Sequence, residues 1–224
     1  MASPAAGRLL QHKLAKPLVF VVALGPFFYL LWAVFANALG PNPAEALIRA
    51  TGDWTLRFLC ITLAVTPLRQ LTGQGQFLRF RRMLGLFTFF YGVVHVLCYS
   101  GFDMAFDLDD IGRDIIKRPF ILAGFTALLL MVPLAATSFN RAIRAMGAAR
   151  WQLLHRLVYA VAAVALVHFW WMRAGKHNFA EPAVYIAIVV VLFGLRLWYH
   201  RHGAHAPRAQ RQEMPKPKMG HGSA

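Results

Sequence analysis

The 224-residue sequence predicts an all-α membrane protein, a six-transmembrane-helix bundle with both chain ends on the cytoplasmic side (N-in and C-in). Three observations support this fold class. Hydrophobic residues make up 58% of the chain, above the roughly 45–50% of soluble proteins. Six apolar runs approach the length of about 20 residues that crosses a hydrocarbon core. Lysine and arginine are also spread unevenly over the segments between these runs.

The six predicted spans are joined by short links. They are Leu18–Leu39, Trp54–Leu71, Met83–Phe102, Pro119–Phe139, Trp151–Met172 and Ala183–Tyr199. Turn-forming sequences such as "GPNP", "TGQGQ" and an Asp-rich segment from Asp103 to Asp114 separate them. The first run is too long for a cleavable signal peptide, so we expect it to remain as a span. The predicted organisation is a cytoplasmic N-terminal segment (1–17), a transmembrane domain (18–199) and a basic tail (200–224) that is expected to be disordered in the cytoplasm.

The charge distribution sets the predicted orientation. With both ends inside, the inner segments hold fifteen lysines and arginines when Arg69 at the inner end of the second span is counted, and the outer loops hold seven when Arg57 near its outer end is counted. The net charge of +15 then reflects retention of cations on the inner side and contact with anionic lipid, so no nucleic-acid partner is expected. Eight of the nine acidic residues fall in the outer loops. That acidic outer face is either a docking surface for a partner or a solvated loop.

Three histidines lie inside predicted spans: His95 in the third, and His155 and His168 in the fifth. An imidazole inside a bilayer is costly and usually faces the bundle interior with a functional partner. A lone histidine can instead hydrogen-bond across helices, but three of them favour a functional site. The predicted spans hold no aspartate or glutamate, which argues against a proton pump or cation transporter. Axial ligation of haem iron fits neutral imidazoles in an apolar bundle better.

Depth in the membrane selects the axial pair. At about 1.5 Å per residue, His95 and His168 lie roughly 12 and 8 Å from the outer edge, within one helical turn of each other. We therefore predict them as the axial ligands of an outer-side haem b. His155 lies roughly 8 Å from the inner edge and cannot share that iron. Its thirteen-residue spacing from His168 turns the two side chains roughly 140° apart, unless the helix is bent or bulged.

The inner ligand set is incomplete. A bis-histidine inner haem needs a partner near position 81 or 82, where the sequence has Arg81 and Arg82. The alternatives left open for His155 are a second haem with an unidentified or absent sixth ligand, and a quinone or flavin site. Arg156, Arg81 and Arg82 are predicted to pair with haem propionates or a flavin phosphate, or to anchor the helices at the interface.

Six stretches in this order resemble the MsrQ family, also called YedZ. They are "GPNPAEALIRATGDWTLRFL", "AVTPLR", "RRMLGLFTFFYGVVH", "KRPFILAGF", "PLAATS" and "RWQLLHRLVYAVAAVALVHF". The resemblance runs from about residue 15 to 200, and His95, His155 and His168 match the histidine positions of the family. The chain is more distantly similar to the ferric-reductase and NADPH-oxidase transmembrane domain. It differs from the oxidases because it lacks the second histidine of the third span and a cytosolic flavin and nicotinamide domain, so direct NADPH oxidation is not expected.

The resemblance implies a multi-pass protein of the bacterial inner membrane that carries one or two haem b groups, with FMN as a further cofactor left open. Its implied role is to take electrons from the quinone pool or a cytoplasmic flavin reductase. It would pass them to a periplasmic molybdopterin-containing enzyme that reduces methionine sulfoxide in proteins. The chain is then a non-catalytic electron-transfer subunit of an oxidoreductase complex. Two rivals stay open: a stand-alone ferric or quinone reductase of the same fold, and a small-solute transporter with structural histidines.

Overall fold

A computed structural model describes residues 11–174 and 179–202 of the chain. The first ten residues of the predicted N-terminal segment and residues 203–224 of the predicted tail lie outside the described residues. Within the described ranges the structure is helical and has no strand. The helices are α1 (Ala15–Phe35), α2 (Pro43–Thr72), α3 (Leu78–Phe102), α4 (Leu108–Lys117), α5 (Pro119–Ala136), α6 (Asn140–Met146), α7 (Ala148–Leu154), α8 (Leu157–Ala174) and α9 (Ala180–His202).

Five helical segments in the described part of the chain are long and apolar enough to cross a membrane. They are Ala15–Phe35, Gly75–Phe102, Pro119–Ala136, Ala148–Ala174 and Ala180–His202. They coincide with five of the six predicted spans. The remaining predicted span, Trp54–Leu71, lies within α2, which is 30 residues long but more polar than the other five.

The helix ends follow local sequence rules. Pro43 opens α2, and the side chain of Asn42 caps that helix by accepting a hydrogen bond from the backbone N–H of Glu45. Gly73 ends α2 in a left-handed conformation, with φ of 72°. The Asp-rich segment, predicted as a turn, contains the additional helix α4. There the side chain of Asp107 caps the helix by accepting hydrogen bonds from two backbone N–H groups.

The aromatic side chain of Tyr91 joins α3 to α1. Its ring is fully buried and stacks on Phe58 of α2. The hydroxyl donates to the carbonyl of Ala23, 2.8 Å away, and accepts from the N–H of Phe27 at 3.0 Å. These are the carbonyl and amide of one turn of α1, directly beside the helix-interior Pro26. The hydroxyl of Tyr91 therefore lies between two backbone hydrogen-bonding groups of α1, beside a proline. Both an inserted side chain and a proline are recognised causes of helix bending.

The helices form two closely packed pairs. α2 packs along α3, and α5 packs along α8. A core cluster joins α2, α5 and α8 through the buried side chains of Leu59, Leu63, Met131, Val161 and Ala162, and Phe193 of α9 packs against it. By contrast, α3 and α8 make only sparse backbone contact with each other. His95 and His168 lie in the space between the two pairs.

Candidate functional site

The structure brings His95 and His168 together. His95 lies on α3 and His168 on α8, and their imidazole rings have centroids 6.3 Å apart with planes inclined at 71°. Because each ring belongs to a different helix pair, the two face each other across the junction of the pairs. This juxtaposition matches the depth comparison made from the sequence.

A backbone carbonyl fixes the tautomer of each ring. Nδ1 of His95 lies 2.8 Å from the carbonyl oxygen of Ile48 in α2, and Nδ1 of His168 lies 2.6 Å from that of Phe120 in α5. A carbonyl oxygen only accepts hydrogen bonds, so each Nδ1 must carry the proton. The lone pair of each imidazole is then on Nε2. This is the arrangement of metal-binding histidines, whose second nitrogen donates to a carbonyl or carboxylate.

Two glycines provide the space for these contacts. A Cβ atom at Gly52 would lie 3.1 Å from Cε1 of His95, and one at Gly124 would lie 2.8 Å from both Cε1 and Nδ1 of His168. Both glycines occur in the quoted motifs, within "RATGDW" and "ILAGF", but neither was predicted as a site residue. Gly124 lies inside a predicted span, where small residues mark close approaches between helices, whereas Gly52 lies just before one.

The pair fits the axial ligation of one iron. If both Nε2 atoms point at one metal, a bond of about 2 Å to each of them, plus about 1.1 Å from each nitrogen to its ring centre, gives a centroid separation of about 6.2 Å. The observed separation is 6.3 Å. No group of three or more His, Cys, Asp or Glu side chains suited to a metal ion occurs among residues 11–174 and 179–202. An iron between the two rings therefore needs further ligands from outside the protein, as a porphyrin supplies.

His155 lies apart from this pair. The helical segment that carries both histidines is interrupted between α7 and α8, at His155 and Arg156. This break lies between the two histidines, in the segment where the sequence left a bend or bulge open. Nδ1 of His155 lies 3.0 Å from the carbonyl oxygen of Trp151, and the two rings stack with centroids 3.9 Å apart. Its Nε2 is buried and makes no hydrogen bond of regular geometry, and the backbone of Leu134 is a neighbouring polar group of the ring.

The three predicted arginines have different surroundings. Arg81 is partly buried and close enough to His155 to affect its electrostatic environment. Arg82 is exposed and donates a hydrogen bond of 2.7 Å to Oδ1 of Asn140. Arg156 is exposed at the helix break. Arg81 of α3 and Arg156, the next residue in the chain, are thus the two of these arginines near His155.

A further arginine lies near the opposite end of α8. Arg173 is only 7% exposed and forms an ion pair with Glu181 of α9, while its Nε has no partner. Its guanidinium also lies over the ring of Phe169. In the sequence, Arg173 marks only the outer edge of the fifth predicted span. The ion pair connects the end of the helix that bears His168 to the start of α9.

Comparison with known proteins assigns the chain to a class. It matches the family described as "Ferric reductase like transmembrane component" over residues 51–167, which is about half of the chain and ends one residue before His168. The matched region includes His95, His155 and the two glycines. The protein is thus a multi-pass membrane protein of the ferric-reductase-like class.

The relatives define the family more closely. A "Protein-methionine-sulfoxide reductase heme-binding subunit MsrQ" of Polaromonas naphthalenivorans is 63% identical, with 89% of this chain and 92% of the relative aligned. Proteins of the same name from Ralstonia nicotianae and Herminiimonas arsenicoxydans are 51% and 48% identical, over 83% and 84% of this chain and 86% and 87% of their own lengths. The chain belongs to the MsrQ family, as its motifs indicated. No solved structure matches it significantly.

Proposed function

We propose that this protein is a membrane electron-transfer subunit that holds a haem b between His95 and His168. The observation that carries the proposal is the paired geometry of the two rings. They are 6.3 Å apart, and each has Nδ1 on a backbone carbonyl and thus a free lone pair on Nε2. The names of the relatives as haem-binding subunits support the same cofactor. A bound haem would supply one-electron chemistry.

The side chains around the pair hold its geometry. His95 and His168 would hold the haem through their Nε2 atoms, while Gly52 and Gly124 let the rings reach the carbonyls that orient them. Thr51 adds a contact of 3.4 Å between its hydroxyl and Nδ1 of His95. Because α2 and α5 supply these contacts, each axial ligand is positioned by the helix packed beside its own.

The proposal includes α2 as a sixth membrane helix and places both chain ends in the cytoplasm. At about 1.5 Å per residue, a 30-residue helix is about 45 Å long, enough to cross the bilayer. Its polar residues are tolerable there because much of α2 is buried against α3 and α9 instead of facing lipid. Arginine is concentrated in the links that this orientation places in the cytoplasm, which supports the proposed orientation in a bacterial inner membrane.

The proposed electron acceptor is a periplasmic molybdopterin-containing enzyme that reduces methionine sulfoxide in proteins. The names of the relatives support this activity for the system to which the subunit contributes. On the proposed outer face, α4 exposes Asp107, Asp109 and Asp110 to solvent. Tyr99 donates a hydrogen bond of 2.6 Å to Asp114 and so ties α4 to α3. This acidic surface is the proposed docking site. Sulfoxide reduction takes two electrons, so the partner must accumulate single electrons.

The inner half is proposed to hold a second cofactor, either a haem or FMN, near His155. The buried Nε2 of His155, which makes no hydrogen bond of regular geometry, and the nearby guanidinium of Arg81 support this proposal. Arg82 and Arg156 are proposed to pair with propionates or a phosphate of the same group. The electron donor is then the quinone pool or a cytoplasmic flavin reductase that reaches the inner face.

The decisive experiment compares reduced-minus-oxidised visible spectra of the purified protein and its histidine variants in detergent. A low-spin b-type spectrum is expected for the wild type, and loss of it in His95→Ala and in His168→Ala. His202→Ala, which removes an exposed histidine at the end of α9, is the matched control and should keep the spectrum. If His95→Ala retains the full spectrum, the axial assignment is wrong.

The same preparation separates the rival functions. A colourless wild-type protein would favour the transporter and remove the basis for electron transfer. Oxidation of a quinol by the pure chain without any partner, or reduction of a ferric chelate, would favour a stand-alone reductase. Transfer of electrons that requires a purified periplasmic partner, and that weakens with increasing salt, is the result expected here because acidic docking is screened by ions.

A further inference from the structure

The short helix α4 joins two membrane-crossing helices and presents three different faces. It connects α3 to α5, which both belong to segments long and apolar enough to cross a membrane. Successive side chains turn by about 100° around a helix, so residues three or four apart share a face. The face toward the protein carries the partly buried Ile111, Asp114 and Ile115. There Asp114 accepts a hydrogen bond from Tyr99 of α3 and forms an ion pair with Arg118.

The second face of α4 is apolar and exposed. Leu108, Gly112 and Ile116 follow one another at a spacing of four residues and therefore lie within an arc of about 80°. Leu108 is 81% exposed and Ile116 is 80% exposed. A Cβ atom added at Gly112, between them, would meet no atom within 4 Å, so no other part of the described chain covers this point. We call these three residues the apolar stripe.

The third face of α4 is charged and begins one residue further along. Asp109, Arg113 and Lys117 have the same spacing as the apolar stripe, and all three side chains are exposed. Nη2 of Arg113 lies 3.5 Å from Oδ1 of Asp110, which is exposed as well. A helix with one strongly charged face and one apolar face is typical of helices that lie flat at a membrane surface.

The chain on either side of α4 fixes its position against its neighbours. Only Arg118 separates the last residue of α4 from Pro119, the first residue of α5. After α3, the chain turns through Ala105 and Phe106, whose φ angles of 47° and 60° are costly for residues other than glycine. The backbone N–H of Phe106 donates to the carbonyl of Ser100 at 2.7 Å and holds this turn. The helix α4 is therefore tied to the ends of both crossing helices.

Exposed apolar side chains flank α4 on the two crossing helices that it joins. They include Leu97 and Phe102 near the end of α3 and Leu122 in the first turn of α5. On helices that cross a membrane, exposed side chains of this kind face the acyl chains of lipid. Lipid therefore surrounds the bundle up to the ends of α3 and α5, which is where the apolar stripe begins.

We propose that the apolar stripe inserts into the leaflet on the side of the membrane proposed above as periplasmic. Its partner is the boundary between headgroups and acyl chains of a lipid bilayer. Residues 107–118 hold four aspartates and three basic residues, hence a net charge of −1, so the attachment depends on apolar burial and not on attraction to anionic lipid. The membrane then fixes the height of the charged face above the bilayer. This contact does not depend on a haem between His95 and His168.

The test places a fluorescent label at successive positions of α4 in the full-length protein. One set of single variants, Leu108→Cys, Gly112→Cys and Ile116→Cys, covers the apolar stripe. The matched control set, Asp109→Cys, Arg113→Cys and Lys117→Cys, lies one residue further along. Each cysteine is coupled to the environment-sensitive fluorophore NBD. The native Cys60 and Cys98 lie in α2 and α3, and wild-type protein treated with the same reagent measures their background.

The labelled proteins are reconstituted in phosphatidylcholine nanodiscs that hold one chain each, so a second copy cannot cover the stripe. Labels on the apolar stripe should emit at shorter wavelength than the control set and be quenched by doxyl-labelled lipid. Their quenching constant with aqueous iodide should be several-fold lower than that of the control set. Adding anionic phosphatidylglycerol should leave this difference unchanged, because α4 has no excess of positive charge.

Three results would overturn the proposal. Equal iodide quenching of the two sets in folded protein means that the stripe is not inserted. Protection that requires several chains per disc, or a purified periplasmic partner, assigns the stripe to a protein contact instead. Protection that requires phosphatidylglycerol contradicts attachment by apolar burial.

Folding of each labelled variant is checked by its thermal unfolding, and three positions per set keep the comparison possible if one variant fails to fold. The label reports on α4 whether or not haem is bound. A protein without haem that still shows the protected stripe would therefore refute the haem proposal alone, whereas a low-spin haem protein with an unprotected stripe would refute this one alone.

Discussion

The substitution Gly124→Ala tests the positioning of His168 without touching the histidine itself. The new Cβ would lie 2.8 Å from Cε1 and Nδ1 of the ring, whereas carbon atoms in good contact are about 3.5–4.0 Å apart. The ring must therefore retreat by about 0.7 Å or more. Its Nδ1 is 2.6 Å from the carbonyl oxygen of Phe120, so this retreat brings the hydrogen bond to about 3.3 Å, beyond the usual range.

Two consequences follow for the variant. Overpacking of this kind costs about 1–3 kcal/mol of stability. Loss of the carbonyl contact also frees the orientation of His168, so its Nε2 no longer faces the position shared with His95. We expect Gly124→Ala to lower haem content at least several-fold or to convert the low-spin spectrum to a high-spin one. The assay is haem per chain together with the reduced-minus-oxidised spectrum.

The glycines of the chain provide a graded control. A Cβ at Gly52 would approach His95 less closely, at 3.1 Å, so Gly52→Ala should have a smaller effect. Gly25 and Gly194 lie in α1 and α9 with nothing within 4 Å of an added Cβ, and their alanine variants should keep full haem content. An unshifted, full-strength spectrum in Gly124→Ala would refute the packing argument. If Gly194→Ala lost as much haem per chain, the effect of Gly124→Ala would be general destabilisation of the protein.

Three other predictions concern separate parts of the molecule. His155→Ala should keep the low-spin spectrum but reduce the total of haem and flavin per chain, measured by pyridine haemochrome and flavin fluorescence after denaturation. Tyr91→Phe should lower stability by about 1–3 kcal/mol in thermal unfolding, because a backbone carbonyl and amide of α1 lose their partner, while the exposed Tyr29→Phe should have no effect. Replacing both Asp109 and Asp110 by asparagine should slow electron delivery to the purified partner and flatten its salt dependence, with an unchanged haem spectrum.

Much of the helical fold was predictable because hydrophobic length and proline and glycine punctuation are local signals. Five of the six predicted spans correspond to helices that satisfy the length and hydropathy required for crossing. The helix α4 was missed, although Asp107 before an amphipathic run with Lys117 at its end is a recognisable capping pattern. The dominance of aspartates in that segment favoured a turn, because aspartate serves both turns and helix N-termini.

The candidate site was predictable in part. Depth along two helices was enough to predict that His95 and His168 meet, because rise per residue is nearly constant. The carbonyl partners of the rings are backbone groups and leave no mark in the sequence. Gly52 and Gly124 are visible in the sequence, but their role depends on which helices pack against each other. The periodicity of the sequence does not determine which helices are neighbours. The spacing of His155 and His168 left a bend open as an alternative, and the break between α7 and α8 shows where the helix is interrupted.

The paired histidines also bear on the choice between electron transfer and bond-making chemistry. A haem that binds a substrate or oxygen keeps one axial position open for it. Here the two rings face each other at the separation of a filled axial pair, and each is fixed from behind by a carbonyl and a glycine of the neighbouring helix. An iron held by both would have no free position, and neither ring could swing aside without losing its hydrogen bond. The geometry therefore weighs against the binding of a small substrate at the iron and favours outer-sphere electron transfer, whether the acceptor is a docked protein or a chelate at the membrane surface.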